Sequence, residues 1–413
     1  MPTLAPRRRL LIVGLNYRPE PIGIGPYTSG LAEALAARGH AVHCIAGQPY
    51  YPDWQLFEGH AQRWASTVES GVTVTRCPHY VPANPTGARR LAHHASFAAT
   101  AEAAIRKAVK TSRPDLVMAV APSMISVPAA RRAARRLGVP FWLHVQDFEV
   151  GAAMATGLLA GGGRRAGAAL RFERRMLEGA DMVSTISPAM RAMLIAKGMP
   201  AARVIELRNW ANHADAVRTG DGTALRREWN LEGQTVVLYS GNIARKQGLE
   251  VVMDAARQLV ERADIAFVVA GKGPCRDVIA ALAEPLGNVM MQPLQDDAAI
   301  GALLRLADIH LLPQIDGAAD LVLPSKIGNI LASARPVIAT TRPGSGIAQE
   351  LDGCGIIVPP GDADALARAI ADLADDPARR TAVGTLGAER AAGRWSKTAV
   401  VDLFESRMQA LLG

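Results

Sequence analysis

The chain has 413 residues, 49% hydrophobic and 20% charged, a balance that suits a folded protein of two or three domains and excludes a disordered one. Its 46 basic residues outnumber the 38 acidic ones for a net charge of +8, which favours an anionic partner. Aromatics make up only 5% and do not interleave with the charge, which argues against nucleic acid, and no apolar run is long enough to cross a bilayer, so the expected location is the cytoplasm.

Arg7, Arg8 and Arg9 precede the apolar run Leu10–Tyr17 in the manner of a signal peptide, but the run is too short for one. A buried first strand, Leu10–Leu15, is expected instead. The loop after it, "NYRPEPIGIGPYT", carries Glu20, Gly23 and Gly25 ahead of a helix over Tyr27–Gly39, which Gly39 ends. This is not the dinucleotide fingerprint. The third glycine is absent, and the next strand, Ala41–Ala46, leads into Gly47 and Gln48 rather than an acidic residue, so hydride chemistry is disfavoured. Further strands are expected at Thr73–Cys77, Leu116–Val120, Phe141–Val145 and Met182–Ile186. Phe141–Val145 carries His144 and runs into Gln146, Asp147 and Glu149, placing an imidazole beside carboxylates at a strand end. An isolated histidine on an apolar strand is usually a core residue; this polar surrounding favours a site role. The segment Gly151–Asp181 joins a small apolar patch to an arginine-rich helical stretch. It reads equally as a solvated helix face or as a segment lying on an anionic membrane, and "RRLAHHASF" (Arg89–Phe97) belongs to the same reading.

The apolar rhythm breaks over Leu207–Gly222, which marks a joint, and then repeats. Strands are expected at Val236–Tyr239, Ala266–Ala270, Val289–Gln292, Ile309–Leu312, Pro336–Thr340 and Gly355–Val358, with helices between. Strand–helix alternation with continuous apolar strands implies parallel sheets covered on both faces, here two doubly wound domains. The expected boundaries are 1–208, 209–394 and a final helix, 395–413, returning to the first domain. Ligands of such sheets bind beyond the carboxyl ends of the strands, so the active site is expected in the cleft between the domains.

Three loops of the second half suit an anionic ligand. "GNIARKQGLEVV" follows the strand "TVVLYS" and brings Gly241, Asn242, Arg245, Lys246 and Gly248 to a helix start, where unpaired N–H groups and the dipole favour a phosphate. "VVAGKGP" exposes backbone around Gly271. "LPSKIGN" places Pro324 at a first helical position, Ser325 and Lys326 in the first turn, and Asn329 one turn on. Cys44, Cys77, Cys275 and Cys354 are scattered without a CxxC pair, against a disulfide framework or a zinc site.

These segments, with "QPYYPDWQ", "LHVQDFEV", "VSTISPAM" and "LRNWAN", resemble the GT-B glycosyltransferases over essentially the whole chain, within the large retaining group called family four. The likeness is closest to the colanic-acid type of exopolysaccharide glycosyltransferase. It implies two facing Rossmann-like domains and transfer of a sugar from a nucleotide diphosphate sugar, with a GDP-linked donor such as GDP-fucose suggested. It further implies a polyprenyl-diphosphate-linked sugar acceptor at the inner face of the plasma membrane, no cofactor and no metal. By the same resemblance Lys246 approaches the diphosphate with main-chain groups near Asn242 and Gly248, Leu294 and Gln295 lie near the base, and Asn329 near the ribose. Gly23 and Gly25 close over the phosphates, and His144 faces the transferred sugar. Glu20, Asp147 and Glu149 are the acceptor-side candidates.

Two positions depart from the family pattern. Many members carry two glutamates with seven residues between them in the third loop, where this chain has Leu321 and Asn329, with Asp320 a neighbour. The arginine that often follows the phosphate-loop glycine is Asn242, with Arg245 and Lys246 as substitutes. Two other readings stay open: a non-catalytic subunit of this fold that binds a partner enzyme, and a nucleotide-sugar epimerase using Asp147 and Glu149.

Overall fold

The structure is a computed structural model that describes residues 6–21, 23–148, 164–296, 298–316, 323–324 and 326–413. The chain divides into two compact units, Met1–Leu207 together with Val401–Gly413, and Arg208–Val400.

Among the described residues the first unit is built on eight strands: β1 (Arg9–Gly14), β2 (Ala41–Gly47), β3 (Ala65–Glu69), β4 (Val72–Cys77), β5 (Leu116–Ala121), β6 (Phe141–Val145), β7 (Met182–Thr185) and β8 (Val204–Glu206). They lie in the order β3-β4-β2-β1-β5-β6-β7-β8, parallel except for β3, which runs antiparallel to β4. Central strands are apolar on both faces: Leu10 to Val13 of β1 and all of β5 are buried. The order reverses between β1 and β5, so the carboxyl ends of these two strands are this unit's switch point, where ligands of open α/β sheets bind. The helix Gly25–Ala37 starts two residues earlier than expected and is followed by Gly39 at φ 93°, the left-handed residue that ends it. From Val401 onward the last helix, Lys397–Leu412, packs on this unit. Phe404 lies 4.6 Å from Trp142 between ring centroids, and Glu405 holds both Arg38 and His40.

Two strands escape the sequence pattern. The β3 segment "ASTVE" is largely exposed at a sheet edge, so it carries no apolar run, and β8 is only three residues long.

Among the described residues the second unit holds six parallel strands: β9 (Thr235–Asn242), β10 (Ile265–Lys272), β11 (Val289–Gln292), β12 (Ile309–Pro313), β13 (Val337–Thr340) and β14 (Ile356–Val358), in the order β11-β10-β9-β12-β13-β14. The chain order reverses between β9 and β12, so the end of β9 is this unit's switch point. β9 and β10 outrun the sequence expectation because their last residues, Ser240–Asn242 and Gly271–Lys272, are glycine and polar residues that continue the ladder past the apolar core. Among the described residues no helix is long and apolar enough to cross a membrane.

Candidate active site

In the second unit the ends of β9 and β10, with the loops that follow them, interlock through glycine. A Cβ on Gly271 would stand 2.0 Å from the Gly241 carbonyl oxygen, and one on Gly273 (φ 154°) would stand 2.3 Å from that of Ile243. Ile243 N–H donates to Lys272 O at 2.8 Å and Cys275 N–H to Ile243 O at 3.0 Å, so the two loops are one rigid rim. Gly271→Ala is therefore expected to cost about 3 kcal/mol, seen as a lower urea midpoint.

From this rim the chain makes a single 3-10 turn, Arg245–Gln247, and reverses at Gly248 (φ 56°) into the helix Glu250–Gln258. The turn is pinned by Ile315 N–H donating to Lys246 O at 3.1 Å, and a Cβ at Gly248 would strike Ile315 at 2.6 Å. Asn242, Arg245 and Lys246 are exposed. Unlike them, Lys326 reaches inward from the helix Lys326–Ala332. Its Nζ lies 3.3 Å from Ser240 O and 4.1 Å from the centroid of the Tyr239 ring. Burial, with Lys246 as a nearby like charge, lowers the Lys326 ammonium to about 7. Tyr239 donates to Asn242 O at 2.5 Å, and burial pushes its phenol up, keeping it neutral. A nest of exposed backbone, a helix start and two lysines converge at the end of one strand. That combination suits an anion such as a diphosphate.

In the first unit the loop after β1 is held by Glu20, which is 2% exposed. Its Oε1 accepts from Tyr50 N–H and Tyr51 N–H, both at 3.1 Å, and its Oε2 from Asn16 Nδ2 at 2.9 Å. Burial pushes this carboxyl up, against the hydrogen bonds that favour its charged form. Gly25 packs on Glu20, while Gly23 (φ 75°) is exposed beside the Tyr51 ring. His144 is on β6, paired across the ladder with Ser184 of β7. Its Nδ1 lies 2.8 Å from Ser184 Oγ, which also accepts from Trp142 Nε1 at 2.8 Å. Burial lowers the imidazole to about 4, so it is neutral at physiological pH.

Two family models match, the glycosyl transferase 4-like domain over residues 23–210 and the glycosyl transferases group 1 domain over residues 234–376. Over 372 residues, 88% of this chain and 91% of the relative, the sequence is 38% identical to WcaI, the glycosyl transferase assigned to colanic acid biosynthesis in Escherichia coli (strain K12). The chain belongs to the group 1 glycosyltransferases. The GDP-mannose-dependent alpha-(1-6)-phosphatidylinositol monomannoside mannosyltransferase of Mycolicibacterium smegmatis is 29% identical over 231 residues, 54% of this chain and 60% of that protein. The fold is GT-B: sucrose-phosphate synthase from Thermosynechococcus elongatus matches with a TM-score of 0.69 at 19% identity, covering 98% of this chain and 99% of that one.

Within this glycosyltransferase the candidate residues separate into groups. Gly241, Asn242, Arg245, Lys246, Gly248, Gly271 and Lys326 come together at the end of β9. Leu294, 47% exposed, and Gln295 lie in the loop just after β11. Asn329 Oδ1 accepts from His213 N–H at 3.1 Å and so ties the helix Lys326–Ala332 to the segment ahead of β9. Glu20 is a correction: its carboxylate is buried and bonded on both oxygens, so it shapes the loop rather than facing an acceptor. Asp147 is exposed, with Oδ1 accepting from Phe148 N–H at 2.8 Å. Glu149, Ser325, Asp320 and Leu321 lie outside the described residues, as do residues 151–163 of the arginine-rich segment.

Sequence reasoning missed Trp142 and Ser184, which fix the His144 ring; Trp142 and His144 share a strand face by the period of two, a usable signal. Ser184→Ala leaves the indole N–H without an acceptor and takes the Nδ1 partner away. It is expected to cost about 2 kcal/mol or more in urea unfolding and to lower turnover by loosening the ring. A cavity of about 930 Å³ in the first unit, lined by His43, Trp64, Thr73 and Lys107 among others, lies at the amino ends of β2 and β4 and away from this chemistry. Among the described residues no three His, Cys, Asp or Glu side chains are placed to hold a metal ion.

Proposed function

We propose that this glycosyltransferase moves a sugar from a GDP-linked sugar to a polyprenyl-diphosphate-linked oligosaccharide in exopolysaccharide synthesis, with retention at the anomeric carbon and without a metal. The observation that carries the donor half is the end of β9, where Lys246, Lys326 and the start of the helix Glu250–Gln258 offer basic groups and a helix dipole to a diphosphate. The relationship to WcaI supports the exopolysaccharide setting, and the GDP-mannose-dependent relative supports the base.

In the step itself, the bond from the anomeric carbon to the diphosphate oxygen breaks while the acceptor hydroxyl oxygen bonds to that carbon on the same face. The hydroxyl proton passes to the departing diphosphate oxygen. Charge therefore grows on the diphosphate as it leaves, and preplaced amides and ammonium groups stabilise it without reorganising. The same fixed charges stand in for a divalent cation. His144, neutral and held by Ser184, hydrogen-bonds a hydroxyl of the transferred sugar.

The membrane half is supported by exposed basic and apolar side chains on two helices of the first unit. The helix Arg164–Glu178 shows Leu170, Arg171, Arg174 and Arg175, and the helix Gly87–Ser112 shows Arg89, Arg90 and Leu91 near its start. Such faces sit among anionic headgroups, peripheral to the inner leaflet.

A melting-temperature panel of GDP, UDP and their sugars tests the donor assignment. A ligand at about a hundred times its Kd stabilises by about 2.7 kcal/mol. Stabilisation by guanosine compounds is expected; stabilisation by uridine compounds alone would overturn the GDP assignment.

A further inference from the structure

Lys326 differs from the other cations of the β9 rim in where its charge is kept. Arg245 and Lys246 extend into solvent, whereas the Lys326 head is enclosed between the Tyr239 ring and Ser240 O. It lies on the side of Gly241 to which a Cβ would project, 3.5 Å from that point, so a bare glycine separates the amine from the rim surface. The groups that face it are named by element. β9 presents the neutral Tyr239 phenol, the 3-10 turn presents the Lys246 ammonium, and β12 presents His310, buried and neutral. Among the described residues, the charged group acting on Lys326 is thus a like charge and not a carboxylate. An amine so placed has a reason to lose its proton when the site is empty and to regain it beside an anion.

We propose that Lys326 is a proton-loaded cation of the donor seat: a nucleoside diphosphate arriving at the β9 rim draws a proton from solvent onto Nζ, and its departure releases that proton. This rests on the donor reading above and deepens it. The amine becomes an ammonium, so the site gains one positive charge only when the diphosphate is there to share it. When the seat is empty, Lys246 and Lys326 do not both have to be charged at close quarters. Donor affinity then depends on pH with a definite sign. Burial holds the empty-state value to about 7, and a bound anion raises it. Above about pH 7 the proton must be taken up on binding, and affinity falls by up to about tenfold per pH unit until the bound-state value is reached.

Calorimetric titration of the full chain with GDP, and separately with UDP, in two buffers of different ionisation enthalpy at about pH 8 counts the protons taken up; the terminal phosphate, with a last pKa of about 6, is almost wholly ionised there. The wild type is expected to take up close to one proton per nucleotide bound. Lys326→Arg is expected to bind with no uptake, because guanidinium is already charged. Lys326→Met is expected to bind about tenfold or more weakly at about pH 7, with no uptake and a flat pH profile. Binding by the wild type without proton uptake, or uptake that survives in Lys326→Met, overturns the proposal while leaving the donor site intact. Absence of any binding by either nucleotide overturns the donor reading and this proposal together.

Discussion

Lys246→Ala is expected to lower kcat/KM for the nucleotide sugar by about 10²–10³-fold, the loss typical when one preplaced group that meets developing charge is removed. The side chain is exposed on the 3-10 turn after β9, so its removal exposes no core and the melting temperature should stay within a degree or two. The loss should fall on kcat as well as KM, because the diphosphate carries more charge in the transition state than in the bound donor. The same change takes away the like charge that helps lower Lys326, so the pH above which donor binding weakens should move upward. Steady-state kinetics over a range of pH separates these effects. An unchanged kcat/KM would mean that the β9 rim is not where the diphosphate leaves.

Acid should unfold the protein early. Burial lowers His79 and His144 to about 4 and His94 and His310 to about 3, each below the ordinary histidine value. An unfolded chain binds these protons from about pH 6.5 downward while the folded chain refuses them until about 4 or below, so stability falls as pH falls through that window. Each histidine contributes about 1.4 kcal/mol per pH unit there, and three of them lie in the first unit, for a slope approaching 4 kcal/mol per unit. His79 and His93 have buried Nε2 atoms without partners and meet the Tyr50 ring edge-on, His93 also leaning on Trp54 beneath Arg90, so a new charge there is held among rings and a like charge. Urea unfolding at a series of pH values from about 7 to 5 gives the slope. A flat profile would show that these imidazoles reach water in the folded state.

The strands that were legible in the sequence are those whose burial is continuous. "FWLHV" is read to the residue and "LVMAVA" to within one, because parallel strands covered on both faces are unbroken apolar runs. β3 was not legible, since an edge strand open to solvent looks like a loop. The donor rim was legible for a local reason: glycines, lysine and helix start all fall within one short stretch, so no long-range information is needed. What sequence could not give was set by register and distance. Glu20 looked like a free carboxylate at a ligand-binding edge, but its partners Tyr50 and Tyr51 come from the loop after the neighbouring strand. Lys326 was expected in the first turn of a helix that suits an anion, but not with its head buried. Only the packing of its helix beside β9 turns its head under Gly241. Asn329 is bound to the backbone of His213, 116 residues earlier, a contact no periodicity encodes.

The most direct test of glycosyl transfer is to follow a labelled GDP-sugar incubated with a polyprenyl-diphosphate-linked sugar and the purified protein. The expected result is label in the lipid-extractable product, one GDP released for each sugar moved, and loss of both in Lys246→Ala. Label that remains on the nucleotide despite demonstrable donor binding would contradict transfer and favour an epimerase or a non-catalytic subunit of the same fold.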